Sequence, residues 1–416
     1  MSLIAPSAPT KPASPERRFS RPLVLILFTV FLDVVGLGVI IPVAPFYATS
    51  FGATALDVGL LFTAFAAAQF LATPVLGALS DRFGRRPVLL VSILGEAIGY
   101  LMLGLAPSLP FLYLARVVSG ATAGNIGAAQ AYVADISSPA DRTRTFGLLG
   151  AAFGVGFLFG PAMGGALSQW FDLRTPALAS AVLVTLNLIF VWLWLPESLP
   201  PERRTRDPIR SRANPFGVLA ALLARPVLRA PMLATFLVNL GFSGMQTNLA
   251  VYLSDRFGFG PGNVAQLFVA LSLVSIATQV FVVGRLSRRF SDTTILVLGL
   301  AATALAYLGI AWAPSPAALW PVVALQALGS ALWRPALSGL VSKLVSPREQ
   351  GVVNGGSQGM TSLASVLGPI LAGVAYSSVS MAGPYVLGAL ATGVAAVAMM
   401  ATVGARPGAT PQAAAG

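Results

Sequence analysis

Twelve long, mostly apolar runs separated by polar connections, most of them short, leave this chain one kind of structure to form. A run of roughly 20 such residues spans the hydrocarbon core of a bilayer as a helix, at 1.5 Å of rise per residue. The runs are Leu23–Tyr47, Val58–Leu79, Val88–Leu105, Leu109–Ala134, Phe146–Trp170 and Pro176–Leu195, then Pro231–Leu253, Val264–Leu286, Ile295–Trp312, Ala317–Val345, Val352–Tyr376 and Pro384–Val403. We number them spans 1 to 12. The expectation is an all-α integral membrane protein of twelve transmembrane helices, arranged as two six-helix halves.

Composition agrees. The chain is 56% hydrophobic and 10% charged, with a mean hydropathy of +0.80. A globular domain is about 45–50% apolar and about 25% charged. The net charge of +12 would suit a nucleic-acid partner, but the basic residues sit in short loops between apolar runs, which excludes that reading. There is no cysteine and no histidine, so disulfides, thiolate chemistry and the commonest metal ligand are absent. The two lysines, Lys11 and Lys343, stand in no phosphate-binding loop. No enzyme, metal or cofactor is expected.

Residues 1–21 read as a disordered basic tail and 405–416 as a second tail. Between them lie a bundle at 22–196, a cytoplasmic linker at 197–229 and a bundle at 230–404. The linker is polar, rich in Pro and Arg, and reads as a flexible or surface-lying connector. If both termini are cytoplasmic, that side holds 22 Lys and Arg and the outer loops hold two, Arg174 and Arg256. Such asymmetry sets orientation.

The halves repeat. At an offset of 208, Ser138-Pro139 falls on Ser346-Pro347 and Gly160-Pro161 on Gly368-Pro369. At 207, Gly77, Leu79, Ser80, Arg82 and Phe83 fall on Gly284, Leu286, Ser287, Arg289 and Phe290. Parallel repeats of this kind put a substrate site near mid-membrane, between halves that rock against each other.

Between spans 2 and 3 stands GALSDRFGRRP, Gly77 to Pro87, a knot of charge in an apolar chain. Gly77 would let a neighbouring helix approach, and Gly84 permits a sharp turn. Asp81 is placed to meet a helix N-terminus. This spacing resembles the loop signature of the major facilitator superfamily. The resemblance implies a cytoplasmic latch of Gly77, Asp81, Arg82, Gly84, Arg85, Arg86 and Asp135. In it Asp81 meets the start of span 11 near Gly351, and Arg85 pairs with Asp135. The second copy has Arg288 in place of the acid, so the latch is one-sided.

Span 5 carries Gly156, Gly160, Pro161, Gly164 and Gly165, which resembles the antiporter motif of the same superfamily. Pro161 removes an amide and bends the helix, as suits a helix that seals one side and then parts. Four charges lie deep inside spans, well away from their ends: Asp33 in span 1, Glu96 in span 3, Arg116 in span 4 and Arg334 in span 10. Desolvation penalises a charged carboxylate, which makes the two acids natural proton carriers, with Arg116 modulating them. A cavity lining of Gln69, Asn125, Gln130, Asn239, Gln246, Gln279, Trp333 and Arg334 is expected.

From Phe31 to Gly165 the chain resembles the tetracycline/proton antiporters of the twelve-span drug:proton branch, through LDVVGLGVIIPVAP, AQFLATPVLGALSDRFGRRPVLLVSILG, LYLARVVSG and YVADISSP. Asp33, Gln69, Arg116 and Gln279 match that family. Its further acids fall on Gly99 and Thr303 and its histidine on Ser275, so magnesium-dependent tetracycline recognition is not expected. The resemblance implies a bacterial inner-membrane secondary transporter, working as a monomer in lipid, that exports a hydrophobic or amphipathic small molecule, a drug with tetracycline-like ones among the candidates, in exchange for protons by alternating access. An exporter of a sugar, amino acid or other metabolite is the alternative. A non-transporting membrane sensor is the alternative of another class.

Overall fold

A computed structural model describes residues 20–138, 141–205, 215–346 and 349–404. Apart from Ser20 and Arg21, the two expected tails lie outside these residues. The described residues form helices and no strand. Span 1 is α1 (Arg21–Ile40) followed by the short α2 (Ala44–Thr49), with Pro42 in the turn between them. Spans 2 and 3 are α3 (Ala55–Phe83) and α4 (Arg85–Gly104). Span 4 is divided into α5 (Leu109–Thr122) and α6 (Asn125–Ile136), and spans 5 and 6 are α7 (Arg142–Trp170) and α8 (Thr175–Trp194).

The linker holds a 3₁₀ turn at Pro201–Arg203 and a helix, α9 (Pro215–Ala224). The second half follows as α10 (Pro226–Phe257), α11 (Pro261–Ala277), α12 (Gly284–Leu286), α13 (Asp292–Ala311), α14 (Pro316–Lys343), α15 (Gln350–Ser378) and α16 (Gly383–Gly404). Between α11 and α12, residues Thr278–Val283 take a π-helical course.

Eleven helical runs among the described residues are long and apolar enough to cross a membrane. The remaining expected span, span 4 at Leu109–Ala134, is helical but broken. Ala123 leaves the helical region at φ −72° and ψ 54°, and the Gly124 N–H turns back to the Thr122 carbonyl at 2.7 Å. Gly-Ala-Thr-Ala-Gly-Asn supplies the cause. Glycine favours helix weakly, and asparagine competes for backbone hydrogen bonds. Asn125 does so here, its Oδ1 accepting the Ile126 N–H at 3.0 Å.

One face of the molecule carries the basic turns, including Arg82, Arg85, Arg86, Arg142, Arg225 and Arg288; we call it the basic face, and the opposite one the far face. The halves meet near the far face. There Gly59 of α3 lies against the Pro369 carbonyl of α15, and a Cβ on Gly373 would come 2.9 Å from Leu56 Cα. The Thr63 hydroxyl donates to the Val366 carbonyl at 2.9 Å. α7 and α11 close the other side, with Ser272 donating to the Phe157 carbonyl at 3.1 Å. Toward the basic face the halves part. A Cβ at Gly77, Gly147, Gly150, Gly351 or Gly355 would meet nothing within 4 Å.

The linker is not all surface. α9 buries Leu219 and Leu222 against Gly359 and Gly356 of α15, and its Phe216 ring stands edge-on to Phe70 of α3 at 5.4 Å between centroids. Exposed Trp170, Phe171 and Trp312 ring the far face, and Trp192 and Trp194 the basic side, as aromatic belts do at the two membrane interfaces.

Candidate functional site

The break in span 4 delivers Asn125 to the interior of the first bundle. Its Nδ2 donates to Asp33 Oδ2 and to Glu96 Oε2, each at 2.8 Å. Asn187 of α8 donates to the other Asp33 oxygen at 2.7 Å. The Tyr100 hydroxyl donates to Glu96 Oε1 at 3.0 Å. All four carboxyl oxygens are therefore engaged, and one amide bridges acids from α1 and α4. Asp33, Glu96, Asn125 and Asn187 are all buried. Asn187 and Tyr100 were not anticipated. Tyr100 stands one turn after Glu96, a spacing that brings side chains together. Asn187 is a lone amide in an apolar run.

Arg116 belongs to a different environment. It is buried, with its guanidinium 5.6 Å from the Phe62 ring centre and 5.8 Å from that of Phe65. No acid lies within ion-pair distance of it among the described residues, so it reaches the carboxyl pair through no direct contact.

A cavity of about 770 Å³ lies between the halves, walled by α7 on one side and by α10, α11, the π segment and α14 on the other. Of the expected lining, Gln246, Gln279 and Arg334 face it. Gln69, Asn125, Gln130, Asn239 and Trp333 do not. Asn125 is spent on the acids, Asn239 donates to its own helix at Thr235, and Trp333 is packed in the second bundle. Gln130 and Gln69 lie on α6 and α3, which do not contribute to this wall. Phe153, Phe157, Phe242, Phe268, Ser272 and Ser275 complete the wall and were not singled out as a group. The π segment carries Gln279, in keeping with the frequency of such segments at functional sites.

The glycine stripe of α7 packs on two different neighbours. It was expected as the bendable stripe of a helix that seals the outer side in one state and parts in the other, with the neighbour it meets left open. Gly156, Gly160 and Gly164 pack on α1 of the same bundle, where a Cβ at Gly160 would come 2.6 Å from Gly38 Cα. Four-residue spacing puts the three on one helix face, and that face is turned inward. Gly165 does face the other half, at Ala265 of α11, and Pro161 borders the cavity.

At the basic face Arg85 bonds Asp81 at 2.7 Å and Asp135 at 3.0 Å. The acid on a helix N-terminus is Glu197, which accepts from the backbone N–H groups of Arg85 and Arg86 at 2.9 and 3.2 Å. Gly84 adopts φ +106°, and a Cβ there would collide with the Glu197 carboxylate, so two requirements exclude any other residue. Arg86 reaches the Trp192 carbonyl at 2.5 Å, and Arg82 lies over Phe83 at 5.5 Å. The expected neighbour of Gly77 is absent, since the halves are parted here. Across the opening, the Arg225 guanidinium and the Ser346 hydroxyl and N–H hold the Glu349 carboxyl below its ordinary value.

Comparison with known proteins agrees with this architecture. The sequence matches the profile of the Major Facilitator Superfamily over residues 26–325 and 264–416. It is similar to the class C tetracycline resistance protein of Escherichia coli, with 37% identity over 86% of this chain and 90% of that protein. It is similar also to multidrug resistance protein 2 of Bacillus subtilis, at 29% identity over 85% of this chain and 88% of that one. Among solved structures, the human organic anion transporter MFSD10 (TETRAN) superposes with a TM-score of 0.71 at 26% identity, covering 93% of this chain and all of that one. Matched across both halves, this multi-pass membrane chain belongs to the Major Facilitator Superfamily, and it is a transporter of small molecules, not an enzyme.

Proposed function

We propose that the protein exports a hydrophobic or amphipathic compound from the cytoplasm in exchange for protons, by alternating access. The tetracycline and multidrug resistance proteins it is similar to support drug export. The excess of basic turns on one face supports a cytoplasmic assignment for that face and for both termini, in a bacterial inner membrane. The protein works as a monomer in lipid, with no nucleic-acid partner and with the proton as its coupling ion.

One observation carries the reading: Asp33 and Glu96 share the amide of Asn125 in a buried site. Two carboxylates that close repel when both are charged. A proton on either carboxylate relieves that repulsion, and its departure restores it. Asn125 opens α6 directly after the break at Ala123–Gly124, so the charge of the pair bears on the joint of span 4. Proton gain and loss thereby bias which face of the transporter is open, as coupling requires.

The test is drug-evoked proton release from purified protein, combined with uptake into proteoliposomes that are acidic inside. Wild type should do both. If the Asp33→Asn, Glu96→Gln and double variants all release protons like wild type, the proton travels by another route. If wild type moves no compound under a pH gradient, export itself is wrong.

A further inference from the structure

We propose that the substrates of this transporter are aromatic organic anions, and that the guanidinium of Arg334 is their charge-recognition group. The inference rests on the reading of the cavity as the transport site. It follows from what lines the cavity and from what does not.

Arg334 is the one charged side chain in the lining. It is exposed at that surface. Its guanidinium lies 4.6 Å from the centre of the Phe242 ring and 5.1 Å from that of Trp333. Among the described residues it has no ion pair and no hydrogen bond. An arginine at membrane depth is costly, and it is retained where it pairs or lines a watery space. It also cannot discharge itself, because guanidinium keeps its proton in proteins.

A counter-charge from the protein is not at hand. The acids inside the spans, Asp33 and Glu96, lie in the first bundle outside the lining, with all four oxygens already bonded to Asn125, Asn187 and Tyr100. Arg116 offers a contrast. It too lies over two phenyl rings, but it is buried away from the cavity. The ring contacts of Arg334 hold a fork of N–H donors at an open wall. A carboxylate or sulfonate accepts such a fork in bidentate fashion.

The rest of the wall fits the remainder of such a molecule. Phe153, Phe157, Phe242 and Phe268 present apolar ring surface. Gln246 and Gln279 add amides that have no hydrogen-bond partner among the described residues. A planar ring system bearing one anionic head satisfies both features. A lipophilic cation would set its charge against Arg334, with no acid in the lining to offset it.

The test uses dansylate, an aromatic sulfonate, and dansylamide, the same ring system with a neutral head, titrated against the purified full-length protein. Wild type should bind dansylate at least about tenfold more tightly, the scale of one charge-assisted hydrogen bond. Arg334→Gln should erase that preference, so that the two probes bind alike, with an unchanged melting temperature reporting that the variant is folded. Arg334→Lys should keep part of the preference. Equal wild-type affinity for the two probes, a preference that survives Arg334→Gln, or no dansylate binding at millimolar concentration each overturns the proposal. Acid-inside proteoliposomes separate this failure from that of the export reading. Uptake of ethidium but not dansylate keeps export and sinks the anion class, and uptake of neither sinks both.

Discussion

Asn125 divides one amide group between acids from two helices, and that single side chain sets what each neighbour contributes. Replacing Asp33 with Asn leaves the shape but removes a group that can release a proton. We expect Asp33→Asn to lower pH-driven uptake by about a hundredfold or more, the scale of losing a positioned acid or base, with substrate still bound. Glu96→Gln should reduce coupling without ending it, since Asp33 keeps two amide donors. Uptake and binding measured on the same preparations check both. The acids were legible in the sequence because charge inside an apolar run has few explanations. Asn125 was legible as polar but was assigned to the cavity, because hydropathy does not reveal where a helix breaks. Gly99 shows why no acid stands at that position. A Cβ at position 99 would come 3.0 Å from that of Ser119 and collide with its hydroxyl. The place where the resemblance to the tetracycline antiporters would put a carboxylate is filled here by a neighbouring helix.

α7 packs two different neighbours with two faces of one glycine-rich sequence. Gly160 lies on α1, within its own bundle, and Gly165 lies on α11, across the closed far side. The two should fail differently when enlarged. Gly160→Leu should destabilise the first bundle by about 1–3 kcal/mol or more through overpacking, read as a lower melting temperature and poor expression. Gly165→Leu should spare that stability and impair efflux, because it wedges a contact that forms only when the far side closes. Equal melting temperatures for the two variants would remove the distinction. The motif was readable as a stripe, but its spacing does not say which helix it faces. The same limit applies to span 4. Its length and apolarity gave one span, whereas the Thr122–Asn125 joint divides it, through local glycine and asparagine chemistry that no window average reports.

Across the whole molecule, the six-and-six repeat and the basic face were legible because bilayer thickness and loop charge act on long stretches at once. The open state was not, because a sequence specifies both states of a rocking transporter. Recognition belongs to this scale too. The cavity wall includes Ser275 but neither a carboxylate nor Thr303, which is buried and bonds its own helix at Gly299. Among the described residues no group of acids is arranged to hold a metal ion. Chelating magnesium should therefore leave transport unchanged, and a collapse of uptake in the presence of chelator would show that some other group holds the ion. The linker helix α9 adds a constraint of its own. Leu222 occupies the hollow at Gly356 while Phe216 abuts Phe70, so the tether between the halves also props the entrance like a doorstop. Under the alternating access proposed above, the doorstop has to be withdrawn once in every cycle. Because the chain contains no cysteine, a Leu222→Cys, Gly356→Cys pair can be bridged without side reactions. Oxidation should stall uptake with the entrance ajar, and reductant should restore it. Undiminished turnover in fully bridged protein would mean that the entrance closes with α9 still in place.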